Sequence, residues 1–212
     1  MAGIIGDSVA DFQNRVTTFS DDYIADWRSW LATPAPNRPD HLAGTLRKWQ
    51  ACRPNRMRRT RKVGGHPAPY IEDLVTAAAP NIAVLGTFNI ALSPPLASPA
   101  HIAALTELWI IFENLSYAGR SRFGRSGVVG ISKAVLLLTD GRVGPAFDRK
   151  VRENVGIRSI GTPDDWIRAI GVVNNDIRGF ELHNGVSFSA ATPVAYAHLH
   201  PGRIYDMALG PR

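Results

Sequence analysis

Lys133 and Asp148 are the two side chains whose types and spacing could do chemistry together. They lie fifteen positions apart in Gly130-Ile-Ser-Lys-Ala-Val-Leu-Leu-Leu-Thr-Asp-Gly-Arg-Val-Gly-Pro-Ala-Phe-Asp-Arg-Lys-Val151. A helix N-terminus disfavours a nearby ammonium and favours a nearby carboxylate. A neutral amine beside an ionised carboxylate is a nucleophile beside an electrostatic stabiliser. Its natural target is a sugar carbon that develops positive charge as a base departs, and first-turn amides could hold a phosphate.

Two helices must position the pair, and the sequence predicts them over 132–139 and 148–154. The first, capped by Ser132, rises roughly 10 Å. A tight antiparallel turn would leave Asp148 at the wrong end. Residues 142–147 contain Gly144 and Pro145 and are not helical in character. Extended, they span up to about 20 Å, enough to run back alongside the first helix and deliver Asp148 near Lys133. Val135, Leu136 and Leu138 would bury and hold that helix.

These residues resemble the helix-hairpin-helix family of DNA base-excision glycosylases. In the resemblance Gly127-Val-Val-Gly130 is the hairpin that binds the DNA backbone. Lys133 is the amine of the bifunctional members and Asp148 the essential carboxylate. It implies a double-stranded DNA-binding protein that excises a base flipped out of the duplex, with a Schiff base and strand cleavage following. The likeness covers 127–151. The glycines are three apart and Gly130 stands three before the Lys, where the family usually has two glycines two apart directly before the Lys region. The alternative is a non-catalytic module, binding nucleic acid or protein, that keeps the scaffold only.

Charge points the same way. The chain of 212 residues has a net charge of +6, which favours anionic partners. Arg53, Arg56, Arg58, Arg59, Arg61 and Lys62 form one basic loop, and Arg120, Arg122 and Arg125 stand on a second, glycine-rich one. Either set could contact phosphates or be a solvated charge run. Phe123 could wedge into a base stack or pack beneath its loop. Cys52 is the only cysteine, so no internal disulfide and no Cys-based zinc site can form, which fits a reducing cytoplasm. The N-terminus lacks a signal peptide's features. The longest apolar runs, 82–92, 108–112 and 134–138, fall short of the roughly 20 residues a membrane helix needs. His198-Leu-His200 lacks further ligands, so no metal and no cofactor are expected. Gly130-Ile-Ser-Lys-Ala134 loosely matches a hydrolase nucleophile elbow, but helical surroundings argue against it.

The remaining elements read as a mainly α, multi-helix, single domain over 1–212, in which 1–62 could form an N-terminal helical subdomain. Val9, Phe12, Val16 and Phe19 make one helical stripe. Ser20 caps a second helix carrying Ile24, Trp27, Trp30 and Leu31. Pro34–Pro39 is a linker, and Asp40 caps a third helix with Leu42, Leu46 and Trp49 inward. Two apolar helices, 70–79 and 81–92, are predicted to break at Pro80. Ser98-Pro99 starts a helix to about Tyr117. Thr162 starts another to about Val173. Asn184-Gly185, flanked by alternating apolar residues, predicts one C-terminal β-hairpin at about 178–190. Trp27, Trp30, Trp49, Trp109 and Trp166 read as core.

Overall fold

A computed structural model describes residues 3–54, 69–92, 94–116 and 125–210. Ten α-helices occur among them: α1 (Val9–Thr17), α2 (Asp21–Ala32), α3 (Arg38–Lys48), α4 (Ile71–Val84), α5 (Pro99–Phe112), α6 (Val128–Leu138), α7 (Arg149–Asn154), α8 (Pro163–Asn184), α9 (Phe188–Ala191) and α10 (Pro201–Leu209). No β-sheet is present among the described residues, and none of their helices is long and apolar enough to cross a membrane. Apart from Leu31, which is 41% exposed, the apolar stripes read from the sequence converge on one core running from Ile4 to Leu209, and all five tryptophans are buried in it. α6 packs against both α3 and α5, while α10 packs on α1 and α7.

Side-chain caps open α1, α7, α8 and α9, whereas Ser20 and Ser98, expected to cap α2 and α5, make no capping bond. Ser8 and Asp11 form a capping box on α1, and Thr162 and Asp165 form another on α8. Two boundaries differ from expectation because proline is tolerated where its missing N–H costs little. α3 starts at Arg38 with Pro39 in its first turn, so Asp40 is helical rather than the cap. α4 continues through Pro80 to Val84. Pro80 and Thr76 lie on its exposed face, where water can bond the freed carbonyl.

The predicted C-terminal hairpin does not form. α8 runs on to Asn184 and ends at Gly185, which adopts the left-handed conformation (φ 66°). Asn-Gly serves a helix C-terminus as well as a hairpin turn. Burial decides between them. Along a strand Phe180 would share a face with Leu182, and Val186 with Phe188, yet Phe180 and Phe188 are buried while Leu182 is 82% and Val186 37% exposed. The two phenylalanines instead flank Phe12, with ring centroids 5.0 and 5.1 Å away. Glu181 Oε1 accepts from the Phe188 amide at 2.8 Å, which helps seat the short α9.

One backbone contact sets the end of the chain against the candidate site. A Cβ on Gly202 would stand 2.6 Å from the Gly141 carbonyl oxygen and 2.8 Å from the Gly144 amide; one on Gly144 would stand 2.6 Å from the Gly202 carbonyl oxygen. Both partners are backbone and cannot swing away. Gly202→Ala is therefore expected to lower stability by about 1–3 kcal/mol, the range for overpacking. A urea titration by circular dichroism checks this, and an unchanged midpoint would show that the two segments separate readily.

Candidate functional site around Lys133 and Asp148

Gly127 supplies no side-chain cap to α6, and the helix opens at Val128. Lys133 is therefore its sixth residue and lies past the first turn. The Gly127–Gly130 stretch is a helix start with Gly130 inside the first turn, not a hairpin. Gly130 is buried, and a Cβ there would meet Ser126 Oγ at 2.2 Å and Cys52 at 3.1 Å. Gly127 is exposed, with nothing within 4 Å of a Cβ built on it. Ser132 is an interior residue of the helix, not its cap. Its hydroxyl donates to the Val128 carbonyl at 2.7 Å.

α6 ends by a reversal that needs a left-handed residue, filled by Asp140 (φ 49°). The Gly141 amide bonds Leu136 O at 2.8 Å and the Asp140 amide bonds Leu137 O at 3.0 Å. Asp tolerates this conformation better than most residues. Trp30 Nε1 donates to its carboxylate at 3.3 Å.

The chain then returns along α6 without helix. The Phe147 amide donates to Ser132 Oγ at 2.9 Å. Asp148 follows Phe147 and Lys133 follows Ser132, so this bond holds the two segments side by side at the residues of interest. Asp148 is the N-cap of α7, and its Oδ1 accepts from the Val151 amide at 3.0 Å. The extended return stands as the sequence predicts.

Lys133 is only 5% exposed. Its Nζ lies 5.7 Å from the centre of the Tyr23 ring and 5.5 Å from that of Trp49, faces that attract a cation. The Tyr23 hydroxyl is pushed up by burial and, further, by the Asp148, Asp206 and Asp26 carboxylates. The same Tyr23 thus meets the amine of Lys133 and the field of Asp148.

Beneath these groups sits a buried ion pair. Arg203 Nη1 donates to Asp206 Oδ2 at 2.5 Å. The guanidinium also lies 4.7 Å from the Trp27 ring centre and 5.0 Å from that of Phe19. Asp206 Oδ1 accepts from the Ala146 amide at 2.9 Å, which ties α10 to the return segment two residues before Asp148. Burial raises the Asp206 carboxyl. Arg203 opposes that most strongly, Asp148 adds to it, and Lys133 opposes it. The electrostatic neighbourhood of Lys133 and Asp148 therefore includes Asp206 and Tyr23. Cys52 borders it too, its thiol pushed up to about 12 by burial, which makes it a poor nucleophile at neutral pH.

No family model matches the chain, and neither does any curated protein or solved structure.

Of the expected phosphate contacts, Arg56, Arg58, Arg59, Arg61 and Lys62 fall outside the described residues, as do Arg120, Arg122 and Phe123. Arg53 is exposed. Arg125 is exposed and its guanidinium meets the Glu113 carboxylate at 3.3 Å. His198 and His200 join no group of three or more potential metal ligands among the described residues. Burial, and then Arg142, pushes the His200 ring down.

Sequence reasoning missed Tyr23, Trp49, Arg203 and Asp206 as members of this neighbourhood. Trp49 carried a burial signal only. An Arg and an Asp three apart on the apolar C-terminal helix were a usable hint, because such charges are buried only when paired.

Proposed function

We propose that the protein excises bases from duplex DNA, with Lys133 as nucleophile and Asp148 as stabiliser. The observation that supports this reading best is the Phe147–Ser132 hydrogen bond, which brings an amine and a carboxylate from separate helices to one locality. In the reaction the Lys133 nitrogen bonds the anomeric carbon, and the bond to the base breaks with its electron pair leaving on the base. The proton lost from the Lys133 nitrogen goes to that base. Asp148 stabilises the cationic sugar as this happens. Ring opening then gives an imine, from which strand cleavage proceeds. Gly127, with no side chain of its own, leaves the α6 N-terminus open to a phosphate oxygen, and exposed Arg53 adds positive charge. Entry of a sugar requires Tyr23, which is only partly buried, to turn aside from Lys133.

A second reading is favoured by one observation, the burial of Lys133 between two aromatic faces. On this reading the lysine is a core cation and the protein a non-catalytic binding module. Borohydride trapping on an abasic duplex separates the two. The enzyme reduces its imine to a stable secondary amine and migrates as a covalent protein–DNA adduct. Duplex binding with no adduct and no base release would favour the module.

A further inference from the structure

α7 ends in a reversal that builds a basic concavity. Gly156 adopts φ 73°, the Ile157 amide bonds Arg152 O at 2.9 Å and the Gly156 amide bonds Glu153 O at 3.3 Å. The turn brings residue 158 back along the helix, and Arg152 Nη1 bonds the Arg158 carbonyl at 3.0 Å. Arg149, Arg152 and Arg158 thereby line one depression of about 530 Å³, together with Glu153, Gly156 and Ile157. Glu153 is its only acid and is engaged by Arg149 Nε at 2.7 Å. Three guanidinium groups against one carboxylate leave an excess of positive charge. Arg152 Nε is buried and without a hydrogen-bond partner among the described residues. Arg149 and Arg158 are exposed. A shape with forked donors and surplus cations is chemistry for phosphate oxygens.

We infer that this depression seats the phosphodiester backbone of the DNA strand being processed. The inference rests on the base-excision reading, because Asp148 is the N-cap of the same helix. α7 spans six residues, a rise of roughly 9 Å. One DNA strand rises about 3.4 Å per nucleotide, so the seated phosphates lie within about three nucleotides of the target sugar. None of these arginines belongs to the basic stretches read from the sequence at 53–62 and 119–130, so they extend the contact surface to the C-terminal side of Asp148 in the chain.

The test is fluorescence anisotropy of a labelled duplex carrying a reduced abasic site, titrated at several KCl concentrations. Arg158→Gln and Arg152→Gln should each weaken binding about tenfold at low salt and lower the salt slope by about one. Arg158→Gln leaves its backbone carbonyl in place for Arg152 and so guards against misfolding of the Arg152 variant. Arg168→Gln, an exposed arginine of α8 paired with Asp165, controls for net charge and should leave the slope unchanged. If wild type binds and the two depression variants keep its slope, or lose no more than Arg168→Gln does, the seat is refuted while base excision survives. If wild type shows no salt-sensitive duplex binding, both fall together.

Discussion

Lys133→Gln is expected to abolish the borohydride adduct while leaving duplex binding within about threefold of wild type. The glutamine amide has no nucleophilic amine, so no imine can form. Binding should persist because Lys133 is buried and the phosphate affinity resides in exposed cations. Asp148→Asn is the companion. Asparagine caps helices as well as aspartate does and can keep the bond to the Val151 amide, so thermal stability should stay near that of wild type. Base release, by contrast, should fall by about 10²–10³, the scale of removing one preorganised electrostatic group. Asp148→Ala should add a stability loss of about 1 kcal/mol from the missing cap. Single-turnover base release alongside thermal melts separates the roles. Wild-type excision by Asp148→Asn would reduce Asp148 to a helix cap, and an adduct that survives Lys133→Gln would move the nucleophile elsewhere.

Asp206→Ala should be among the most destabilising single substitutions in the protein. It strands the Arg203 guanidinium, 1% exposed between Phe19 and Trp27, without a counter-charge. It also leaves the Ala146 amide without its acceptor. Breaking a buried pair from one side costs about 3–5 kcal/mol. For a chain of 212 residues that is a Tm drop of roughly 6–20 °C. Arg203→Met alone should also destabilise, but combined with Asp206→Ala it should cost clearly less than the sum, since the double variant buries no lone charge. Strict additivity in this cycle would mean that the pair makes no coupled contribution.

The pair also predicts a pH slope. Burial raises Asp206 above its ordinary 3.8, so the native state holds that proton more tightly than the unfolded chain does. Its contribution to stability is full below 3.8 and is lost as pH rises through the raised folded value. Asp206→Asn removes the titration, so Tm against pH should flatten over that window relative to wild type. An unchanged profile would assign the slope to other groups.

Where short-range physics governs, the sequence sufficed. The mainly helical character, the buried tryptophans, the helix starts after Ser20, Ser98 and Thr162 and the extended return through Pro145 all follow from apolar spacing, the Thr162 cap and proline. Each acts within a few residues of itself. The reach of an extended segment also allowed Asp148 to come back to Lys133. Tertiary structure decided what those rules leave degenerate. Asn184-Gly185 can turn a hairpin or stop a helix, and the seating of Phe180 and Phe188 around Phe12 selected the helix. Gly127 and Gly130 could flank a hairpin or open a helix, and the close approach of Cys52 to Gly130 accompanies the second outcome. Lys133 thereby moved from a helix N-terminus into an aromatic setting. Arg203 and Asp206 lie far along the chain from Asp148, and no local pattern announces which carboxylate ends beside the return segment. That choice is made by packing, where a buried charge persists only if the whole fold delivers its partner.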